Sequence, residues 1–319
     1  MRVLLAPMQG LVDAPMRALL TGMGGVDVCV TEFVRVTHHV LPAKTFYRLC
    51  PELLHGGRTP AGAPVLVQLL GSDPVCLADN AARAAELGAP GVDLNFGCPA
   101  PTVNRHRGGA ILLREPALLY AIVRAVRAAT PADVPVTAKM RLGYDDASLA
   151  LACAQALEAG GAAEIVVHAR TKVEGYRPPA HWDWIARIRE AVRVNVVANG
   201  EVWTRQDARA CLAASGSRDV MLGRGLVARP DLARQIVADA RSEAAPALDW
   251  PAMQPVVWRM WALLQDYADG AYPQARLKQW LALVAQAFPA ARPLLQAVRH
   301  CATAGEVEAH LQAPAFWAP

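Results

Sequence analysis

One thiol stands in the sequence Asn95-Phe96-Gly97-Cys98-Pro99, directly after the apolar run Gly91-Val92-Asp93-Leu94. A cysteine there can attack an electrophile as a thiolate or give up a proton as a thiol. Gly97 leaves the backbone free to turn and Pro99 fixes the turn's exit. No histidine or carboxylate near it in sequence reads as the base that activates a nucleophile, although such partners need not be local. A proton donor needs no such base, because it stays protonated until the transition state. A lone cysteine is more often a small buried hydrophobe; a Gly-Cys-Pro turn at a strand end argues against that here.

The remaining polar residues with chemical potential recur in a similar setting, at the ends of short apolar runs. Gln68 can both donate to and accept from a flat heterocycle. Lys139 and Arg141, in Lys139-Met140-Arg141-Leu142-Gly143, and His168 and Arg170, in His168-Ala169-Arg170-Thr171, supply four basic groups. A buried ammonium needs an anionic partner, and a reduced flavin, a phosphate or a polarised carbonyl would serve. Asn199-Gly200-Glu201 and Gly223-Arg224-Gly225 follow the seventh and eighth runs, where α/β barrels often hold phosphate. Each also has a plainer explanation. Lys139 could snorkel to solvent, His168 could be a hydrogen-bonded core residue, and the two glycine motifs could be tight turns. Asn104-Arg105-His106-Arg107-Gly108-Gly109 reads as a flexible basic loop beside the thiol, either solvated or closing over a polyanion.

The elements that must position these groups are legible in the pattern. Runs rich in β-branched residues occur at Val3–Pro7, Val26–Phe33, Val65–Gly71, Gly91–Asn95, Val136–Arg141, Ile165–His168, Val194–Asn199 and Val220–Gly223. Between most of them lie Ala/Leu/Arg-rich stretches with helical spacing: Leu77–Leu87, Pro116–Ala129, Ser148–Ala159, Trp184–Val192, Arg205–Ala213 and Pro230–Ala240. Continuous apolar runs suit parallel strands covered on both faces. Eight strand–helix units in about 240 residues predict a closed (β/α)8 barrel, whose strand ends converge on one face. A doubly wound sheet is the alternative. After residue 241 the strand signal stops. Ser242–Pro251 reads as a linker, and helices are expected at Gln254–Asp269, Tyr272–Ala287 and Arg292–Ala302. The expected division is a catalytic barrel over residues 1–241 and a small all-α domain over 242–319. Residues 241–319 carry six basic and six acidic residues, so a basic surface there must come from one helix face.

Composition narrows the class. The chain of 319 residues has 54% hydrophobic and 19% charged residues with a net charge of +4, which marks a globular protein that permits a polyanionic partner without requiring one. Seven cysteines in no regular spacing, with no CxxC pair, predict neither a disulfide framework nor a zinc site and point to a reducing cytoplasm. No apolar run is long enough for a membrane span. A monomer without metal is expected.

Taken together, Ala6-Pro7-Met8, Gln68, Asn95–Pro99, Lys139–Gly143, His168–Thr171, Asn199–Glu201 and Gly223–Gly225 resemble, in order, the tRNA-dihydrouridine synthases. Val30-Thr31-Glu32-Phe33-Val34-Arg35 and Ala275-Arg276-Leu277-Lys278-Gln279-Trp280 resemble their DusC-like subfamily, in which Gln9 is often Glu. The resemblance implies an FMN-binding TIM barrel followed by a four-helix, tRNA-binding domain. It implies flavin contacts from Pro7, Met8, Gln9, Gln68, Lys139, His168, Asn199, Gly200, Glu201, Gly223 and Arg224, with Cys98 as proton donor. Asn95 and Tyr176 are implied at the RNA, and Arg35, Arg276, Lys278 and Arg299 as subfamily contacts; Arg141 and Arg170 are expected to help hold the substrate. The implied reaction is reduction of the C5–C6 bond of a uridine at tRNA position 16, with tightly bound FMN and transient NADPH (or NADH). The competing readings are an FMN barrel acting on a free pyrimidine, which would need no helical tail, and an RNA-binding protein without catalysis.

Overall fold

The computed structural model of the chain describes residues 1–268 and 272–317. Its strands are β1 (Val3–Leu5), β2 (Val28–Val30), β3 (Val34–Arg35), β4 (Val65–Leu70), β5 (Val92–Phe96), β6 (Val136–Arg141), β7 (Glu164–His168), β8 (Asn195–Asn199) and β9 (Val220–Leu222). All pair in parallel, and a β2–β4 pairing closes the ring. Eight barrel staves result, because β2 and β3 are two pieces of one stave. This is the expected TIM barrel.

The second stave departs from the single expected strand, Val26–Phe33. Val30 pairs with Leu66 and Val34 with Leu69, so three residues on one side oppose two on the other. That is a one-residue bulge, which breaks the ladder and re-aims side chains. The Thr31 hydroxyl repairs the gap by accepting from the Gln68 N–H at 3.0 Å.

Strand alternation sorts the core into two layers. Val92, Leu94, Phe96, Ala138, Met140, Ile165 and Val167 face the surrounding helices. Leu4, Ala6, Val30, Leu66, Val166, Val197 and Met221 form a separate apolar cluster inside the barrel. Two residues further along the same strands the inward positions become polar: Gln68 after Leu66, His168 after Val166 and Asn199 after Val197. The opposite mouth is closed by Arg2, which donates to both oxygens of Asp219 at 2.6–3.0 Å and pairs with Glu164.

Helices α1 (Ala14–Gly22), α2 (Ala43–Leu49), α3 (Pro74–Glu86), α4 (Pro101–Arg105), α5 (Pro116–Ala129), α6 (Ala150–Gly160), α7 (Trp182–Ala191), α8 (Arg205–Ser215), α9 (Arg224–Ala228) and α10 (Leu232–Ala240) surround the barrel. Inside this shell Arg17 is fully buried. Its guanidinium meets Glu52 at 2.7 and 2.8 Å and the carbonyls of Val12 and Leu49 at 2.8 and 3.0 Å.

Among its described residues the tail holds four α-helices: α11 (Gln254–Tyr267), α12 (Tyr272–Ala287), α13 (Arg292–Val298) and α14 (Ala304–Gln312). The expected third helix stops early, and α14 begins at a reciprocal Thr303–Glu306 cap. Asp269, the expected end of the first tail helix, lies outside the described residues, as do other positions of the 242–319 segment. The expected linker is anchored: Leu248 N–H donates to Asp231 at 2.8 Å, and Trp250 stacks on Trp317 at 4.8 Å.

The tail docks by α11 against α1 and by α12 against α9. Trp280 is buried there and donates to the Val227 carbonyl at 2.9 Å. Arg276, expected at the RNA, is buried in this seam. It donates to Asp13 at 2.7 Å and to the Leu11 carbonyl, because Asp13 is itself buried and needs a cation. Asp13 also caps α1 through the Met16 N–H (3.0 Å) and accepts from Tyr272 (2.7 Å). Lys278 donates to the Cys301 carbonyl at 2.7 Å, whereas Arg35 and Arg299 are exposed.

Removing one partner of a buried pair leaves the other charge without compensation. Arg17→Ala should therefore lower the unfolding free energy in urea by about 3–5 kcal/mol, and the apolar pair R17M/E52L should lose clearly less. Arg276→Ala should cost about 3 kcal/mol and make the tail the first site of limited proteolysis, while Arg299→Ala leaves both measurements unchanged.

Candidate active site

The polar layer and the loops above it enclose a cavity of about 540 Å³, within the range of cofactor and small-ligand sites. It collects strand-end residues from around the barrel: Pro7, Met8 and Gln9 after β1, Gln68 on β4, Asn95 and Cys98 on and after β5, and Lys139 and Arg141 on β6. His168 and Arg170 come from the end of β7, Asn199, Gly200 and Glu201 from β8, and Gly223 and Arg224 follow β9. Tyr176 joins from the loop after β7. Every residue expected at the flavin lines this one cavity, while Arg35, Arg276, Lys278 and Arg299 do not.

The thiol's turn is held by hydrogen bonds on both sides. Asn95 Oδ1 accepts from the Gly97 and Cys98 N–H groups at 3.0 and 2.9 Å. From the other side, Asn104 Nδ2 donates to the Cys98 carbonyl at 2.9 Å, and its Oδ1 accepts from the Ile111 N–H at 2.8 Å. Asn104 is buried, so the segment expected as a flexible basic loop is α4 followed by a pinned turn. Gly109 closes it with φ +67°; a Cβ there would sit 2.7 Å from the Cys98 carbonyl oxygen. Burial pushes the Cys98 thiol above its ordinary value, only partly opposed by the Ala100 N–H and Arg141. The group is a thiol at neutral pH, which suits proton donation and disfavours nucleophilic attack.

Opposing electrostatics surround it. Lys139 donates to Asn199 Oδ1 at 2.9 Å, and burial followed by repulsion from Arg141 brings its ammonium down to about 8. Arg141 spends its guanidinium on backbone carbonyls, Gly97 at 2.9 Å, Thr171 at 3.0 Å and Gly175 at 2.8 Å, and so ties the thiol's turn to the loop after β7. Arg224 lies over Tyr176 at 4.7 Å and Trp203 at 5.4 Å. Among the described residues, Lys139, Arg141 and Arg224 form no ion pair. Burial, reinforced by these cations and Arg170, holds His168 well below the ordinary histidine value, so it is a neutral hydrogen-bonding group.

Arg170, expected to contact substrate, is 1% exposed and paired with Glu201. It still lines the cavity, and its remaining donors face the Pro179 carbonyl at 3.1 Å and His168. Glu201 adopts φ +58°, unusual for a residue with a side chain, and is held there by Arg170 and by Trp203 at 3.2 Å. Gly200, at φ +120°, must lack a side chain, since a Cβ would lie 2.8 Å from His168 Cδ2.

Phe33 and Trp203 are cavity residues the sequence reading missed, while Asn104 and Gly109, placed there in a basic loop beside the thiol, hold its turn. Phe33 enters the cavity through the bulge, which no periodicity reveals. Trp203 had a local signal, standing two residues beyond Glu201. Three unpaired cations, amide donors and acceptors, and an apolar rim fit a flat heterocycle that carries negative charge.

The model of the dihydrouridine synthase (Dus) family matches residues 4–317. A tRNA-dihydrouridine(16) synthase of Aquipseudomonas alcaligenes is 58% identical over 299 residues, 94% of this chain and 95% of that one. Those of Neisseria meningitidis serogroup A and Shewanella oneidensis are 51% and 48% identical, covering 98% and 96% of this chain and 94% and 96% of theirs. Among solved structures, a variant of NCR from Zymomonas mobilis aligns with TM-score 0.52 at 16% identity, over 77% of this chain and 88% of that one. Histamine dehydrogenase from Rhizobium sp. 4-9 aligns with TM-score 0.56 at 16% identity, over 82% and 49%. These last two share the fold. The family match and the relatives, each spanning nearly the whole length, place the chain in the dihydrouridine synthase family.

Proposed function

We propose that this chain reduces the C5–C6 bond of a uridine in tRNA to 5,6-dihydrouridine, at position 16 of the D-loop, with FMN bound in the barrel cavity and NADPH as reductant. The observation that carries the reading is the meeting, in one cavity, of three unpaired cations and a thiol held protonated on the Asn95–Pro99 turn. Relatives named for position 16 support the choice of uridine. When bound, FMN supplies the hydride that adds to C6 of the uracil.

The chain's own residues do the rest. Addition at C6 leaves negative charge at C5 and O4, and Cys98 gives its proton to C5. The resulting thiolate lies within the field of Arg141. Lys139 and Arg224 offset the cofactor's negative charge, while Gln68, His168 and Asn199 orient its ring through neutral hydrogen bonds. Asn95 and the exposed Tyr176 meet the base at the mouth. A base reaches this depth only by leaving the RNA stack. Arg35, Lys278 and Arg299 remain the candidate phosphate contacts, which makes binding salt-dependent.

Cys98→Ala should keep its bound flavin and its reduction by NADPH, yet lose dihydrouridine formation in tRNA by at least about a hundredfold; nucleoside mass spectrometry of the product reads this directly. Lys139 supplies a second check. In the free protein it gives up its proton at about 8, and a bound anion raises that value. Binding at higher pH must therefore take up a proton, so FMN affinity should fall as pH rises above 8, by up to about tenfold per pH unit. Fluorescence titration of FMN should show that slope in the native protein and its disappearance in Lys139→Met.

A further inference from the structure

Beneath the thiol's turn lies a residue that never reaches the cavity. Asp93 is 1% exposed, sits on β5 with its side chain toward the barrel axis, and does not line the pocket. Its Oδ1 accepts from the Thr137 hydroxyl at 2.6 Å and its Oδ2 from Gln68 Nε2 at 2.7 Å. Gln68 Oε1 then accepts from Asn95 Nδ2 at 2.8 Å, and Asn95 Oδ1 accepts from the Gly97 and Cys98 N–H groups.

An amide side chain is nearly symmetric in shape, so its partners decide which end is oxygen. Here two amides lie in series between an ionised carboxylate, which can only accept, and two backbone N–H groups, which can only donate. One polarity satisfies every member. Reversing either amide sets donor against donor in a buried site, at the cost of an unmade hydrogen bond.

We infer that Asp93 is a positioning residue: by fixing the orientation of Gln68, and through it of Asn95, it holds the turn that presents the Cys98 thiol. The inference deepens the proposed function and rests on it for its catalytic meaning, but its geometry does not depend on flavin or RNA.

The chain's logic supplies a shape-matched test. In D93N the new amide can turn its oxygen to Gln68 and its nitrogen to Thr137, whose hydroxyl accepts as well as donates. T137V leaves the carboxylate facing Gln68. In the double variant D93N/T137V the amide nitrogen has no acceptor at position 137. Donation to Gln68 with both following amides reversed then competes with the native polarity, and in that arrangement the donors of the turn are left to cavity water. None of these changes removes much volume, so all should fold.

The readout is the rate of Cys98 alkylation by iodoacetamide in the full-length protein at pH 8, with and without added FMN, followed by mass spectrometry of the Cys98 peptide. At that pH Asp93, pushed up to about 6 by burial, is ionised. The native protein, D93N and T137V should react alike, and the double variant about tenfold faster. A double variant that reacts at the native rate overturns the relay, since packing alone would then explain Asp93. So does a D93N as reactive as the double variant, since charge alone would then explain it. If the alkylation pattern holds while flavin-loaded native enzyme forms no dihydrouridine in tRNA, the relay stands and the proposed function falls.

Discussion

The barrel's inner face carries polar side chains where such barrels more often stack apolar layers, and everything above depends on those groups being hydrogen-bonded. The lower interior is conventional, with Leu66, Val166 and Val197 in contact. One pleat higher, Gln68, His168 and Asn199 replace them, beside the inward-facing Asp93, Asn95, Thr137 and Lys139 of β5 and β6. Such a layer is stable only if nearly every donor meets an acceptor. Among the described residues, a single buried side-chain atom, Asp231 Oδ1, lacks a hydrogen-bond partner, and it does not line the cavity. The satisfied layer is therefore rigid, and that rigidity is what a site needs to hold a cofactor and a proton donor in fixed relation.

Charge is distributed with equal economy. The unpaired cations at the mouth favour an anionic guest, and they add to the burial that suppresses protonation of His168, which stays a neutral hydrogen-bonding group beside them. Cys98 shares the cavity but is governed by burial, which keeps its proton in place. Burial thus drives both groups to their uncharged states, with the neighbouring cations reinforcing it at His168 and Arg141 only partly opposing it at Cys98.

The helical tail is joined to the same loops that shape the site. Arg276 grips Leu11 and Asp13, a few residues beyond Met8 and Gln9, and Trp280 docks on the short helix that begins at Arg224. Gly10, between them, donates its N–H to Glu32 of the bulged stave. The tail and the loops after β1, β2 and β9 are therefore joined in one packed unit.

Strand and helix alternation, the convergence of polar strand ends and the Gly-Cys-Pro turn were all legible in the chain, because each depends on residues close in sequence. The reciprocal Thr303–Glu306 cap that starts α14 is an equally local signal. What could not be read was which charges face outward. Arg170 and Arg276 look like RNA-binding residues by type and setting, yet both are buried in ion pairs, with Arg276 and Asp13 separated by 263 residues. The bulge that admits Phe33 likewise exists only in relation to the register of the neighbouring strand. The amino-acid sequence by itself determined the barrel, the chemistry of its mouth and the type of residue at each strand end, since these follow from short-range periodicity. Tertiary structure alone decided which of those residues remain free to act, since burial and charge pairing are properties of the contacts between distant segments.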